Sequence, residues 1–284
     1  MSDELNFKQE LTAVFGHPVA ENPTQVMVEA AYRHHNLAWR YLTIEVTPDD
    51  LDAAVEGARA MGFGGFNLTI PHKVAVMEHL DEIAESARLI GAVNCVVRRG
   101  ERLIGENTDG KGFLESVREV RDPSGARVLL LGAGGAARAI SVELALAGAS
   151  EITVCNRSQQ RGRELAQRIT DATGVPARFQ EWGSTIPVPA GTEILVNATS
   201  IGLYPDTDGI APVDFASLSA ETLVADVIPN PPQTPFLRRA AERGCTTIDG
   251  LGMLVNQGRI GIRLWTGVEP DADVMRRSLE EVFG

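Results

Sequence analysis

The feature that most constrains this chain is Val128-Leu129-Leu130-Leu131-Gly132-Ala133-Gly134-Gly135-Ala136-Ala137-Arg138-Ala139. Four apolar residues run into a glycine-rich turn, and small residues then open a helix. Glycines at such a turn let the backbone bend sharply and approach a pyrophosphate, while the free amides of the following helix start face the negative charge. An isolated match also fits a ligand-free strand-to-helix turn, so the surroundings have to decide. About 20 residues on, where a dinucleotide fold places a carboxylate against the adenosine ribose, this chain has Asn156-Arg157-Ser158. A guanidinium beside hydroxyl and amide groups suits a 2′-phosphate, which points to NADP rather than NAD. Arg157, with Arg161, is the expected phosphate ligand, and Arg163 and Arg168 are read as a solvated helix face.

The alternation around this turn predicts a parallel, doubly wound sheet. Strands are expected at Val128–Leu131, Ile152–Cys155, Glu193–Val196, Leu223–Val227 and Thr246–Ile248. Helices are expected at Gly135–Ala147, from Ser158 to before Gly174, and from Thr234 to Arg243. The first half also reads as an open α/β sheet. Its strands are Leu11–Gly16, Trp39–Val46, Gly65–Ile70, Ala92–Val97 and Arg102–Gly105. One helix opens at Asn22-Pro23-Thr24, another at Thr47-Pro48, and helix-compatible segments run from His72 to about Ile90. Apolar spacing places two further helices at Leu251–Trp265 and Ala272–Phe283.

At 284 residues the chain exceeds the usual size of one core, so two domains are expected. Acidic residues outnumber basic ones by 38 to 26, a net charge of −12 that argues against a nucleic-acid partner. The polar start Met1-Ser2-Asp3-Glu4-Leu5-Asn6 is unlike a secretory leader, and no apolar run approaches the roughly 18 residues of a membrane span. A cytoplasmic protein with a small-molecule substrate is expected, and a homodimer is compatible with it. Cys95, Cys155 and Cys245 match no metal or disulfide spacing and read as reduced core thiols, and no metal site is expected.

Two polar clusters stand at strand ends, where open α/β sheets bind ligands: Asn67-Leu68-Thr69-Ile70-Pro71-His72-Lys73 and Gly105-Glu106-Asn107-Thr108-Asp109-Gly110. A lysine working with an aspartate can move a proton to or from a hydroxyl. Taken with Gly91-Ala92-Val93-Asn94, the Gly132 turn, Asn156-Arg157-Ser158, Asn197-Ala198-Thr199-Ser200-Ile201-Gly202 and Asp249 to Gln257, these clusters resemble the shikimate dehydrogenase family, in order and over almost the whole chain.

The resemblance implies a substrate domain of residues 1–112 completed by helices in 251–284, a Rossmann-like NADP-binding domain of residues 113–250, and an active site in the cleft. It implies reversible oxidation of a ring hydroxyl of shikimate or a related cyclic polyol, with hydride passing to NADP. Quinate, aminoshikimate or a turnover-free dinucleotide-binding regulator are the alternatives. Lys73 and Asp109 would be the catalytic pair, while Asn22, Asn67, Thr69, Asn94 and Gln257 would hold substrate. Gly132, Ala133, Gly134, Gly135, Ala136, Asn156, Arg157, Ser158, Arg161, Asn197, Thr199, Val227 and Gly250 would hold the cofactor.

Two departures bear on one functional group. Where the family shows two serines before a proline, ligands of the substrate carboxylate, this chain has Val19-Ala20-Glu21-Asn22-Pro23 and is two residues shorter. Where a tyrosine follows three residues after the aspartate matching Asp226, Pro229 stands. Glu21 adds a negative charge where a carboxylate would lie, and like charges in a partly desolvated site repel. Altered carboxylate recognition is the expectation.

Overall fold

The computed structural model describes residues 7–283; the polar start at residues 1–6 lies outside them. The described residues separate into two compact units, one made of residues up to Thr108 with Gly258–Val282, the other of Asp109–Gln257.

The first unit runs β1 (Glu10–Gly16), α1 (Thr24–His34), β2 (Trp39–Glu45), α2 (Leu51–Ala60), β3 (Gly65–Leu68), α3 (His72–Ala75), β4 (Glu82–Ile83), α4 (Glu85–Ile90), β5 (Cys95–Arg99) and β6 (Arg102–Glu106). Its sheet has the order β2-β1-β3-β5-β6-β4. The strands β1, β2 and β3 are parallel, whereas β5 runs antiparallel to both β3 and β6. Phe15, Phe66, Leu68 and Val96 anchor one core against Val55 and Ala58 of α2. Two sequence expectations change here. The helical stretch from His72 to Ile90 is divided by β4, which pairs with β6 and has no periodicity of its own to announce it. Asn22 is not the cap of α1: Pro23 holds that position, and the Asn22 Oδ1 accepts the Thr24 amide at 3.0 Å, one residue earlier.

The second unit runs α5 (Thr108–Arg118), β7 (Arg127–Leu131), α6 (Gly135–Leu146), β8 (Glu151–Asn156), α7 (Gln159–Thr173), β9 (Ala177–Glu181), β10 (Ile194–Asn197), β11 (Leu223–Asp226), α8 (Pro235–Glu242) and β12 (Thr246–Ile248). Its strands are all parallel and ordered β9-β8-β7-β10-β11-β12, two mononucleotide-binding halves wound outward from β7 and β10. The apolar run of β7 explains why. Val128 and Leu130 enter one core with Ile140 and Leu144 of α6, while Leu129 and Leu131 enter another with Phe236 and Leu237 of α8. A strand alternates its side chains, so a continuous apolar strand must be covered on both faces. The strand β9 and the helix α5, whose polar residues mask their periods, are the elements that the sequence reading omits.

The chain ends in α9 (Gly250–Thr266) and α10 (Ala272–Phe283). The later part of α9 belongs to the first unit, where the Trp265 indole donates to the Val96 carbonyl at 2.9 Å. Gly65 leaves room for it, since a Cβ there would stand 2.2 Å from Trp265 Nε1.

Candidate active site

In the first unit the candidate substrate residues stand on strand ends and are tied together by amide hydrogen bonds. Asn67, at the end of β3, is buried; its Nδ2 donates to the Asn94 carbonyl at 3.0 Å and its Oδ1 accepts the Tyr41 hydroxyl at 2.7 Å. One N–H and one lone pair of the amide remain for a ligand, the complement of a hydroxyl. Asn94 holds Thr108 with both ends of its amide: Oδ1 accepts the Thr108 amide at 2.6 Å, and Nδ2 donates to the Thr108 hydroxyl at 3.0 Å. Asp109, the next residue, therefore leaves a fixed point as α5 begins. Lys73 sits in the short helix α3, whose backbone is anchored where the Lys73 carbonyl accepts the Val93 amide at 2.7 Å.

His72 beside Lys73 is 1 % exposed, and its Nε2 bonds the Val46 carbonyl at 2.7 Å, which makes it a strut between loops. Thr69 is half-buried after β3, with its backbone amide on the Phe15 carbonyl. Asn22 is half-buried and Glu21 is exposed on the turn before α1.

In the second unit the glycine-rich turn has the geometry of a cofactor cradle. Gly132 has φ of +110°, and a Cβ there would stand 2.8 Å from the Ala198 carbonyl oxygen, so only glycine fits. Gly134 caps α6 without any side-chain partner, and a Cβ on Gly134 or Gly135 would meet nothing within 4 Å. That open side is where a pyrophosphate can approach the helix amides between Ala133 and Ala136. The site lies at the carboxyl ends of β7 and β10, the point at which the strand order reverses and doubly wound sheets bind nucleotides. Close by in sequence, Arg138 is half-buried with an unpartnered Nε, and burial together with the Arg168 charge lowers its pKa. A cation so placed welcomes an anion, and the residues present fit a dinucleotide phosphate.

At the end of β8, Asn156 Nδ2 donates to the Ser158 carbonyl at 2.9 Å, and Ser158 caps α7 by accepting the Arg161 amide. Arg157 and Arg161 are exposed, available to a 2′-phosphate. Arg163, expected on a solvated helix face, is exposed there and also lies over the Phe179 ring at 4.9 Å.

At the end of β10, Asn197 is fully buried. Its Oδ1 accepts the Thr199 hydroxyl at 2.7 Å and its Nδ2 donates to the Asp226 carboxylate at 3.1 Å. Gly250 is packed so closely on the Val227–Ile228 backbone that a Cβ would stand 2.2 Å from the Ile228 carbonyl oxygen. Gln257 is buried and donates to the Leu254 carbonyl one turn back on α9. Sequence reasoning passes over Tyr41, Thr108, Asp226 and Thr234 as site-shaping residues. Their partners are eight to 29 residues away, and of the four only Thr234-Pro235 carries a local signal, that of a helix start.

A doubly wound nucleotide-binding domain and a mixed α/β domain in one chain, with Lys73 and Asp109 on the helices that follow β3 and β6, have the make-up of a dinucleotide-dependent oxidoreductase. Comparison with known proteins narrows the class. The shikimate dehydrogenase substrate-binding domain matches residues 14–96, the shikimate/quinate 5-dehydrogenase domain residues 115–202, and the shikimate 5′-dehydrogenase C-terminal domain residues 250–280. The NADP(+) shikimate dehydrogenase of Desulforamulus reducens is 41 % identical over 281 residues, covering 98 % of this chain and 97 % of that one. The chain belongs to the shikimate dehydrogenase family. Among solved structures, the 5-ketofructose reductase of Gluconobacter sp. strain CHM43 is 56 % identical with a TM-score of 0.96, covering 98 % of this chain and 100 % of that one. The shikimate 5-dehydrogenase of Thermus thermophilus, solved with NADP(H) and shikimate, is 35 % identical with a TM-score of 0.83, covering 96 % and 99 %.

Proposed function

We propose that this enzyme interconverts a secondary hydroxyl and a ketone on a polyhydroxylated small molecule, with NADP(H), and that its preferred substrate carries no carboxylate. The first unit supplies Asn22, Asn67, Thr69, Lys73 and Asn94 for the substrate, and the second supplies the cofactor cradle together with Asp109 and Gln257. The Gly132–Ala136 turn would hold NADP(H), with Arg157 and Arg161 on its 2′-phosphate, and the bound nicotinamide would supply or accept the hydride. Lys73 gives a proton to the carbonyl oxygen in reduction and accepts it back in oxidation, and Asp109 orients the ammonium. Asn67, Thr69, Asn94 and Gln257 bind hydroxyls, with Asn22 at the edge of the site. Asn197, Thr199, Val227 and Gly250 line the nicotinamide end.

One observation carries the substrate reading: both carboxylate-binding features expected of the family are absent here, replaced by Ala20, Glu21 and Asn22 on one side and Pro229 on the other. The high identity to a protein named for a carboxylate-free ketosugar supports it. Shikimate is the second reading, favoured by the 41 % identical shikimate dehydrogenase. Steady-state kinetics with both substrate types separate the two.

The 2′-phosphate assignment has its own test. Arg157→Ala is expected to weaken NADP binding about 10- to 100-fold, the worth of a charged hydrogen bond, and NAD binding by less than about twofold. Titration of both cofactors checks this, and equal weakening would refute it. We place the enzyme in the cytoplasm as a homodimer. Among the described strands β2 pairs only with β1, so its outer edge can take a partner strand. Light scattering should return twice the chain mass, and a monomer would refute the dimer.

A further inference from the structure

We propose that Asp226 is a positioning residue for the cofactor, its carboxylate fixing the turn 198–202 against the glycine-rich loop through Asn197. Asp226 ends β11 and is 1 % exposed. Its Oδ1 accepts Asn197 Nδ2 at 3.1 Å and the Ile228 amide at 3.2 Å, and its Oδ2 accepts the Thr234 hydroxyl at 2.8 Å.

From there the network runs in two directions. Asn197 Oδ1 takes the Thr199 amide at 3.2 Å and the Thr199 hydroxyl at 2.7 Å, and the Thr199 Oγ1 in turn takes the Ile201 amide at 3.2 Å. This shapes the turn whose Ala198 carbonyl abuts Gly132 and whose Ala198 amide bonds the Leu131 carbonyl at 2.9 Å. In the other direction, the Thr234 Oγ1 accepts the Leu237 amide and caps α8. One carboxylate thus joins the turn after β10, the loop after β11 and the start of α8.

Burial pushes the Asp226 carboxyl up to about 6, against the opposing pull of its hydrogen-bond donors. A carboxyl whose native pKa is raised lends stability at pH values below its unfolded pKa, and loses that contribution as pH rises through the native value. At neutral pH the ionised carboxyl is therefore less favourable to the fold than its protonated form. Its two oxygens accept at once, one from Asn197 and Ile228 and the other from Thr234. An asparagine that kept the Asn197 and Ile228 bonds would turn its NH₂ to Thr234, and that hydroxyl would have to reverse from donor to acceptor.

The inference rests on the Gly132–Ala136 turn being the cofactor cradle. An NADPH fluorescence titration of the wild type, run first, tests that reading separately, because no saturable binding would remove the cradle itself. Asp226→Asn is expected to weaken NADPH binding about tenfold, the loss of one or two aligned hydrogen bonds, while the cofactor-free protein still unfolds in one cooperative transition at pH 7. Asn197→Ala should weaken it similarly, and the double variant should lose no more than the worse single one, since both act through one network. The substrate KM of Asp226→Asn, measured at saturating NADPH, should stay within about twofold. NADPH affinity within twofold of wild type, additive losses in the double variant, or an Asp226→Asn protein that fails to fold would each overturn the proposal.

Discussion

Lys73→Ala is expected to lower kcat by about three orders of magnitude while the NADPH Kd stays within about twofold. Removing a positioned proton donor costs on the order of 10²- to 10⁴-fold in the chemical step, because the oxygen that receives charge as hydride arrives must then find its proton in water. The proposed cofactor cradle, Gly132–Ala136 with Arg157, is built from residues other than Lys73, so cofactor affinity should be spared. Asp109→Ala should produce a loss of similar size, and Lys73→Ala combined with Asp109→Ala should be little worse than either alone, since both serve one proton transfer. Stopped-flow hydride transfer together with NADPH titration checks the pair. A variant that loses NADPH binding, or one that keeps more than a tenth of wild-type kcat, would remove the pair from the chemistry. Asn94 anchors the start of α5 through its bonds to the Thr108 amide and hydroxyl, which both variants retain.

The second large effect concerns substrate. A carboxylate-free polyhydroxylated ketone such as 5-ketofructose is expected to be reduced with a kcat/KM at least about 100-fold above that for 3-dehydroshikimate. Two hydroxyl donors and a phenol missing from the carboxylate subsite amount to several hydrogen bonds to a charged group, at roughly 1.5–3 kcal/mol each, and one missing bond of that size is already about a tenfold or larger effect. Glu21 is expected to add to this through repulsion. Comparable kcat/KM values for the two ketones would return the enzyme to the shikimate reading. Glu21→Ser should then be uninformative for the ketosugar and improve 3-dehydroshikimate reduction, because it replaces a repelling charge by a hydroxyl. Quinate and other cyclic polyols, assayed in the oxidative direction, complete the comparison.

The cofactor half was the more legible in sequence. Its central strands β7, β10 and β11 carry apolar runs, its helices are punctuated by Gly148, Gly174 and Gly244, and its turn chemistry is local to Gly132–Gly135. Each of these signals is carried by neighbouring residues, and Gly132 and Gly250 are explained by backbone approaches that permit no side chain. The substrate half gave up its residue types but not its arrangement. A four-residue helix at His72–Ala75 and a two-residue strand at Glu82–Ile83 are too short to show a period, so Lys73 was identified by its motif and not by its element.

What the sequence by itself determined is the class of chain: a parallel nucleotide-binding sheet organised around the turn at Gly132, an arginine in place of a ribose-binding acid, and a lysine and an aspartate in the pattern of one family. The tertiary structure alone decided how the binding groups are held. Tyr41 on Asn67, Asn94 on Thr108, and Asp226 on Asn197 and Thr234 are pairings between strands or loops that become neighbours only in the folded sheet order. Local periodicity records which face of a strand is apolar. Which buried amide meets which buried carboxylate is fixed by register between distant segments, and no short window of sequence contains it.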